Sequence, residues 1–193
     1  MSIIVAVKKN NKIAIGSDSQ FNTGSLKKSS EYVVNSEKIF NVGSSFIGLT
    51  GWSATSLAAE HLFEKHKGKL NFDNRISIFE TLLKMHELLK DEYYFKTKED
   101  DDEQPVESNQ IFGLIINPNG IFGISSYREV IEYRKFWAIG SGRSIALGAL
   151  YACYNTYNQA EKIADTGIKA ACEFNDACGL PAKIFEVDLN KTV

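Results

Sequence analysis

The first twenty residues constrain the fold of this chain most. Residues 2–7 are apolar and rich in β-branched side chains, and residues 13–15 resume the apolar run after Asn10 and Asn11. Two short β-rich runs separated by a small polar pair are typical of a β-hairpin. Asparagine also tolerates the positive φ angles that such a turn needs. The chain is therefore predicted to open with a β-hairpin whose first strand starts at residue 2.

The position of this hairpin gives Ser2 a particular chemistry. If a processing enzyme removes Met1, Ser2 becomes the first residue and carries both a hydroxyl and a free α-amine. An α-amine has an ordinary pKa of about 7.7–8.0, so part of it is free base near neutral pH. Such an amine is one recognised activator of a weak hydroxyl nucleophile. Ser2 is therefore a candidate nucleophile, the alternative being that the chain begins Met-Ser by chance.

Composition and charge argue against several classes of partner and location. The chain has 193 residues and 44% are hydrophobic, which is typical of a globular protein with a sizeable core. Its 22 basic and 24 acidic residues give no electrostatic case for nucleic acid or a membrane as a partner. No membrane span or secretory signal is evident. Three cysteines without a paired metal spacing favour free thiols and a cytoplasmic location, and give no case for a metal site.

The rest of the chain alternates between strand pairs and helix pairs. A second hairpin is predicted over 38–42 and 46–50, and a helix over 54–66 has Ser53 as its N-cap. Asp73 or Asn74 caps a longer helix that ends near residue 94. Helical spacing predicts that the buried stripe of this longer helix consists of Ile76, Phe79, Leu82, Leu83, His86 and Leu89.

The second half repeats the same order of elements. Strong turn residues join a third hairpin, one or two further strands follow, then two helices and a closing strand. The predicted ranges are 111–116, 121–126, 128–137, 138–157, 159–174 and 182–189. Residues 21–30 are interpreted as a loop, and residues 98–108, with their acidic run 99–103, as a surface insertion. This order predicts an α+β fold, a four-layer αββα sandwich formed by a single domain over residues 1–193.

Four segments together resemble the proteasome β-subunit and HslV family of N-terminal nucleophile hydrolases. Their order and approximate spacing match across nearly the whole chain, although the stretch between Asp18 and Lys38 is a few residues longer than is usual in the family. The segments are Ser2-Ile-Ile-Val-Ala-Val with Ile13-Ala-Ile-Gly-Ser-Asp18, Lys38-Ile39, Leu49-Thr-Gly-Trp-Ser-Ala54, and Ala138-Ile-Gly-Ser-Gly142.

The resemblance implies a role for each matching residue. Ser2 matches the nucleophile, Asp18 and Lys38 the buried ion pair, Gly51 the backbone oxyanion donor, and Ser141 the serine that supports the terminal amine. A cation beside the amine disfavours its protonated form and eases ionisation of the hydroxyl. Each residue also has a simpler interpretation: Asp18 as a turn residue, Lys38 as a solvated strand end, Gly51 as a loop glycine, and Ser141 as a helix N-cap.

The sequence departs from the family pattern after the last helix. The family has an aspartate, two residues, and then Ser-Gly. Aligning Gly179 puts Asn175 at the acidic position and Cys178 at the serine position, whereas aligning Asp176 with the acid shortens the gap by one residue. Both Asn175 and Asp176 are therefore kept as candidate site residues.

The resemblance implies a peptidase that needs no organic cofactor and hydrolyses peptides or unfolded proteins inside a self-compartmentalising homo-oligomer. By analogy with the family, an ATP-dependent unfoldase is a further expected partner. Two alternatives stay open. One is a catalytically inactive assembly subunit, which the Asn175 and Cys178 departures favour. The other is an amidase of the wider N-terminal nucleophile group that acts on a small molecule.

Overall fold

The computed structural model describes residues 2–98 and 104–190, which form eleven strands and four helices. Its elements alternate between strands and helix pairs, as the sequence predicts. In chain order they are β1 (Ile3–Lys9), β2 (Lys12–Ser17), β3 (Phe21–Thr23), β4 (Leu26–Lys28), β5 (Ile39–Val42), β6 (Ser45–Thr50), α1 (Ser53–Lys65), α2 (Arg75–Asp91), β7 (Phe112–Asn117), β8 (Gly120–Ile124), β9 (Val130–Tyr133), β10 (Phe136–Gly140), α3 (Arg143–Cys153), α4 (Ala160–Phe174) and β11 (Lys183–Asp188).

The strands form two main antiparallel sheets. One has four strands in the order β10-β1-β2-β11, and the other has five in the order β5-β6-β7-β8-β9. The short strands β3 and β4 form a separate two-stranded sheet. The opening hairpin is confirmed, and its turn residues Asn10 and Asn11 have φ angles of 47° and 62°. Because β1 is an inner strand of its sheet, its first residues are held on both sides.

Alternating side chains of β1 separate two of the three apolar cores. Ile3, Val5 and Val7 pack with the residues of α3 and α4, whereas Ile4 and Ala6 pack with Leu114 of the other sheet. A third core lies between the five-stranded sheet and the pair α1 and α2. The αββα sandwich is confirmed, with helices covering the outer face of each sheet.

The helix boundaries differ from the predictions in detail. Ser53 is the first residue of α1, and its N-cap is Trp52, whose carbonyl oxygen accepts from the backbone N–H groups of Thr55 and Ser56. The prediction of Ser53 as N-cap was therefore wrong by one residue. Asn74 caps α2 as predicted and forms a capping box with Ser77. The helix predicted to reach residue 157 ends at Cys153.

The predicted stripe of α2 was wrong for half of its members. Leu82 and Leu89 are buried as expected, but Ile76, Phe79 and Leu83 are 60%, 41% and 44% exposed. The helix is apolar on more than one face, so helical spacing alone does not identify the face that packs. The buried residues are Ile78, Thr81, Leu82, Met85 and Leu89.

Two segments were predicted to lack regular secondary structure, residues 21–30 and the acidic run 99–103. Part of the stretch interpreted as a loop, residues 21–30, forms the hairpin β3–β4. The acidic run 99–103 lies outside the described residues. Within residues 2–98 and 104–190, no helix is both long enough and apolar enough to cross a membrane.

Candidate active site

A single buried carboxylate organises the site. Asp18, which follows β2 and is 0% exposed, accepts four hydrogen bonds. Its Oδ1 accepts from the Lys38 Nζ at 2.7 Å and from the backbone N–H of Ile3 at 3.0 Å. Its Oδ2 accepts from the backbone N–H groups of Gln20 at 3.2 Å and Gly179 at 3.0 Å. These partners compensate the desolvation of the buried charge and fix the position of β1 relative to Lys38.

Lys38 lies immediately before β5 and is only 4% exposed. Its ammonium group donates to Asp18 and to the backbone carbonyl of Gln20, at 2.6 Å, and the Phe21 ring centroid lies 5.1 Å away. Burial lowers the pKa of Lys38 below its ordinary value, and the Asp18 carboxylate opposes this shift. Lys38 is thus a buried and paired cation, and its interpretation as a solvated strand end does not fit this geometry.

Ser2 sits at the start of β1 and is 6% exposed. Its carbonyl oxygen accepts from the backbone N–H of Ser141 at 2.8 Å, and the next residue, Ile3, is bound to Asp18. Gly140 passes so close that a Cβ there would collide with the Ser2 carbonyl oxygen and would lie 3.3 Å from the Thr50 Cγ2. The ends of β1, β6 and β10 therefore meet at Ser2.

Gly51 follows β6 next to this meeting point. Its φ is +114°, a value that favours glycine, and among the described residues no atom beyond its two chain neighbours lies within 4 Å of the position that a Cβ would take. Gly51 is exposed, and the Cγ2 of its neighbour Thr50 lies 3.3 Å from the position that a Cβ on Gly140, beside Ser2, would take. The backbone at Gly51 therefore borders open space near the candidate nucleophile, which leaves room for a substrate.

The segment after α4 contributes Asn175 rather than Asp176. The Asn175 Nδ2 donates to the Ser141 carbonyl oxygen at 3.5 Å, while its Oδ1 accepts from the Cys178 Sγ at 3.6 Å. Asp176 is exposed, and its backbone carbonyl accepts from the Gln20 side chain at 2.8 Å. Burial raises the pKa of the Cys178 thiol to about 11, with a smaller contribution from Asp18, so this group stays neutral.

The structure thus brings Ser2, Asp18, Lys38, Ser141 and Asn175 into one network, with Gly51 at its open edge. Ser141 belongs to it through its backbone, and the N-cap of α3 is Gly142 rather than Ser141. The histidines lie elsewhere: His86, for example, contacts Glu107 on the outer face of α2. No group of three metal-ligating side chains occurs among the described residues.

Sequence reasoning missed Gln20 and Gly179. Gln20 accepts from Lys38 through its carbonyl and donates through its side chain to the segment after α4. Gly179 donates to Asp18, and a Cβ on it would lie 3.0 Å from the Gln20 Cβ. The contact between Gln20 and Asp18 could have been predicted, because an aspartate side chain readily accepts a hydrogen bond from the backbone N–H two residues later. For Gly179 the sequence offered no signal beyond the family alignment.

Solved structures provide the comparison with known proteins. Thiobacillus denitrificans BPH is 37% identical in sequence, with a TM-score of 0.91 over 98% of this chain and 100% of that one. The same protein in complex with epoxomicin gives a TM-score of 0.90 over the same shares of the two chains. Eukaryotic HslV from Trypanosoma brucei is 18% identical, with a TM-score of 0.70 over 96% of this chain and 99% of that one.

The two proteins support different conclusions, because their sequence identities to this chain differ. At 18% identity, the likeness to HslV concerns the fold alone, whereas BPH matches in sequence as well as in fold over almost the whole length. No protein-family model matches the chain, and no curated protein sequence matches it either.

Proposed function

The chain belongs to the family of proteasome-like proteins that includes Thiobacillus denitrificans BPH, and we propose that it is a peptidase whose nucleophile is Ser2, exposed by removal of Met1. The observation that carries the proposal is the buried network in which Lys38 and Ile3 share one oxygen of Asp18. Burying a lysine and an aspartate together is weak evidence for stability, and here the pair is joined through Asp18 to Ile3, the residue next to Ser2, so we infer a purpose other than stability. Activation of Ser2 is such a purpose.

The proposed reaction is acyl transfer through the Ser2 hydroxyl. Its Oγ attacks the carbonyl carbon of the scissile peptide bond, and the Ser2 α-amine takes the hydroxyl proton and later gives it to the leaving amine. The Lys38 cation disfavours protonation of that amine. The backbone N–H of Gly51 donates to the oxyanion, a contribution of about 3–4 kcal/mol in comparable sites. Water then hydrolyses the ester between the substrate acyl group and Ser2.

The remaining parts of the site hold this geometry. Ser141 fixes the Ser2 carbonyl through its backbone N–H, and Asn175 fixes the Ser141 carbonyl in turn. The substrate is a peptide or an unfolded protein chain, and the enzyme works as a homo-oligomer in the cytoplasm, with an ATP-dependent unfoldase as a further partner. The exposed apolar residues Ile76, Phe79 and Leu83 on α2 support the oligomer, because a monomer would leave them in water.

Epoxomicin, which is bound in one of the BPH structures, tests the proposal directly. An epoxyketone has two electrophilic carbons that a hydroxyl and an amine on one residue can attack. Untagged protein is incubated with epoxomicin and its intact mass and first residue are measured. We expect loss of Met1 and one adduct per chain at Ser2, no adduct in Ser2→Ala, and a normal adduct in Ser144→Ala, an exposed serine on α3.

A non-catalytic assembly subunit is the second candidate function. The neutral groups of Asn175 and Cys178 favour it, since they replace the carboxylate and hydroxyl that the family pattern has beside the terminal amine. Protein that keeps Met1 under normal processing and takes up no epoxomicin would support this candidate and contradict the peptidase.

A further inference from the structure

The hairpin β3–β4 forms a wall directly beside the site. Its first residue, Phe21, has its ring 5.1 Å from the Lys38 Nζ. Asp18 and Gln20, which precede the hairpin, are bound to Lys38. The hairpin therefore begins beside Lys38, next to the buried network that holds the residue after Ser2.

The strand register determines which side chains of the hairpin face the site. Phe21 is opposite Lys28, and Thr23 is opposite Leu26. Directly opposed residues of an antiparallel pair project to the same face, and side chains alternate between faces along each strand. Since Phe21 points toward Lys38, Lys28 and Leu26 share its face, whereas Asn22 and Lys27 project to the opposite one.

The charge on this face is available to a ligand. Lys28 is exposed, and among the described residues no carboxylate forms an ion pair with Lys27 or Lys28. Glu31, the next acidic residue along the chain, is exposed as well and pairs with neither. Neighbouring strands lie about 4.8 Å apart, so Lys28 starts one strand spacing from Phe21, whose ring borders Lys38. An extended peptide rises about 3.3 Å per residue, and on this basis we place the reach of the Lys28 side chain within about three residues of the bond that Ser2 would cut.

From this placement we propose that Lys28 selects peptide substrates that carry an acidic side chain within three residues of the cleaved bond. The proposal rests on the proposed function, because it names the substrate class of the same site. Leu26, 62% exposed on the same face, supplies an apolar surface beside the ammonium group. An Asp or Glu side chain would find its charge partner there, and a Lys or Arg side chain would meet a like charge.

Lys27 provides a matched control, because Lys27→Glu and Lys28→Glu change the net charge equally on opposite faces of one hairpin. A set of peptides is cleaved with Asp, Asn or Lys placed in turn at each of the three residues before the cleaved bond. For the unmodified chain we expect kcat/KM to favour Asp over Asn by about twofold to fivefold at one of these positions, the range of an exposed ion pair. Lys28→Glu should reverse this preference, and Lys27→Glu should leave it intact.

The same peptides are titrated against Ser2→Ala, which retains the hairpin and does not cut. The preference for Asp should appear in this binding affinity and should fade in 0.5 M salt, where exposed charges are screened. Equal cleavage of Asp, Asn and Lys peptides, or equal effects of the two lysine variants, would overturn the proposal and leave the peptidase standing. Absence of both cleavage and an epoxomicin adduct would instead reject the peptidase, and the Ser2→Ala titration would still decide whether Lys28 selects acidic peptides.

Discussion

At the scale of single residues, Lys38 and Asp18 are the pair on which we expect both stability and the proposed activity to depend. Each is almost completely buried, and their charges compensate each other at 2.7 Å. Removing one partner of a buried ion pair leaves an uncompensated charge, which typically costs about 3–5 kcal/mol. The two residues therefore have to be tested together as well as singly.

For Lys38→Met we expect loss of peptidase activity and a free energy of unfolding lower by about 3 kcal/mol, because Asp18 stays buried without its cation. The double variant Asp18→Asn/Lys38→Met should recover much of the stability and none of the activity. Urea unfolding and peptide cleavage measure the two properties separately. A Lys38→Met enzyme with unchanged kcat would show that the cation has no part in the chemistry.

Asn175 tests whether the side chain that supports Ser141 has to be uncharged. In Asn175→Asp, an ionised carboxylate would face the Ser141 carbonyl oxygen in place of the amide Nδ2 that now donates to it. The repulsion raises the pKa of the new carboxyl group and disturbs the support of Ser2. We expect several-fold lower kcat at neutral pH, with partial recovery relative to the unmodified enzyme as the pH falls and the carboxyl group is protonated.

The control for Asn175→Asp is Glu173→Gln, an exposed residue in the last turn of α4 that makes a charge change without contact with Ser141. Its pH profile should follow that of the unmodified enzyme. An Asn175→Asp enzyme more active than the unmodified one at neutral pH would mean that a carboxylate is tolerated here and that the hydrogen bond to Ser141 contributes little.

At the scale of elements, two glycines in and just before α3 differ in what the fold requires of them. The junction of β10 and α3 requires glycine at position 140, whereas α3 does not require it at position 148. Gly140 has a φ of +100° and passes against the Ser2 carbonyl. By contrast, within residues 2–98 and 104–190 a Cβ placed on Gly148 in α3 would meet no atom within 4 Å other than its chain neighbours and the backbone of its own helix. Gly140→Ala should lower stability by about 1–3 kcal/mol and displace Ser2. Gly148→Ala should raise stability by up to about 1 kcal/mol, because alanine is the better helix former. Thermal unfolding of the two variants, with epoxomicin uptake, tests both statements.

The segment after the acidic run is anchored to α2 through Glu107. Its carboxylate is paired with Lys90 at 2.8 Å and His86 at 3.0 Å, and the Lys90 and His86 hydrogen bonds lower its pKa to about 2 from an ordinary 4.5. A group whose folded pKa is lowered adds stability above its unfolded pKa, and this contribution is lost as the pH falls through the folded pKa.

We therefore expect the unmodified chain to be more stable than Glu107→Gln, with the largest difference in the free energy of unfolding above about pH 5. The difference shrinks from pH 4.5 downward and disappears near pH 2. Urea midpoints measured across this range give the curve. Glu87→Gln, an exposed position on the same helix, should show no such dependence. A Glu107→Gln difference that persists unchanged at pH 2 would contradict the assignment to the ion pairs.

The elements also show where the sequence was informative. The existence of the longer elements and some of their turns and caps were predicted correctly, as with Asn10–Asn11 and the Asn74 cap. The hairpin β3–β4 was missed because its strands have three residues each and half-buried or exposed side chains, so no alternation marks them. In α2 two apolar faces compete, and packing against the sheet buries Ile78 and Met85 rather than Ile76 and Phe79.

The site was predictable to the extent that its residues carry a family pattern. Asp18 and Lys38 are 20 positions apart, and nothing in their local sequence requires that they meet. The choice between Asn175 and Asp176 depended on the direction in which the turn after α4 presents each side chain. Such tertiary information is absent from composition and periodicity.

At the scale of the whole molecule, the exposed stripe of Ile76, Phe79 and Leu83 on α2 predicts an assembly. Replacing Phe79 and Leu83 by serine removes apolar contact area and leaves the buried face of α2 untouched. We expect the unmodified chain to elute as an oligomer and Phe79→Ser/Leu83→Ser to shift toward the monomer, with unchanged circular dichroism. The control is Val34→Ser, a side chain that is 99% exposed outside α2. An unmodified chain that elutes as a monomer would contradict this prediction.

The four hydrogen bonds of Asp18 have a consequence for the biosynthesis of the protein. They join β1, the lysine before β5, and Gly179 near the end of the chain, which is 161 positions away in sequence. A chain still emerging from the ribosome has not yet made Gly179, so one of the four donors to the carboxylate is missing. The complete network, and with it the proposed activity, would therefore form only after residue 179 has been synthesised and has folded into place.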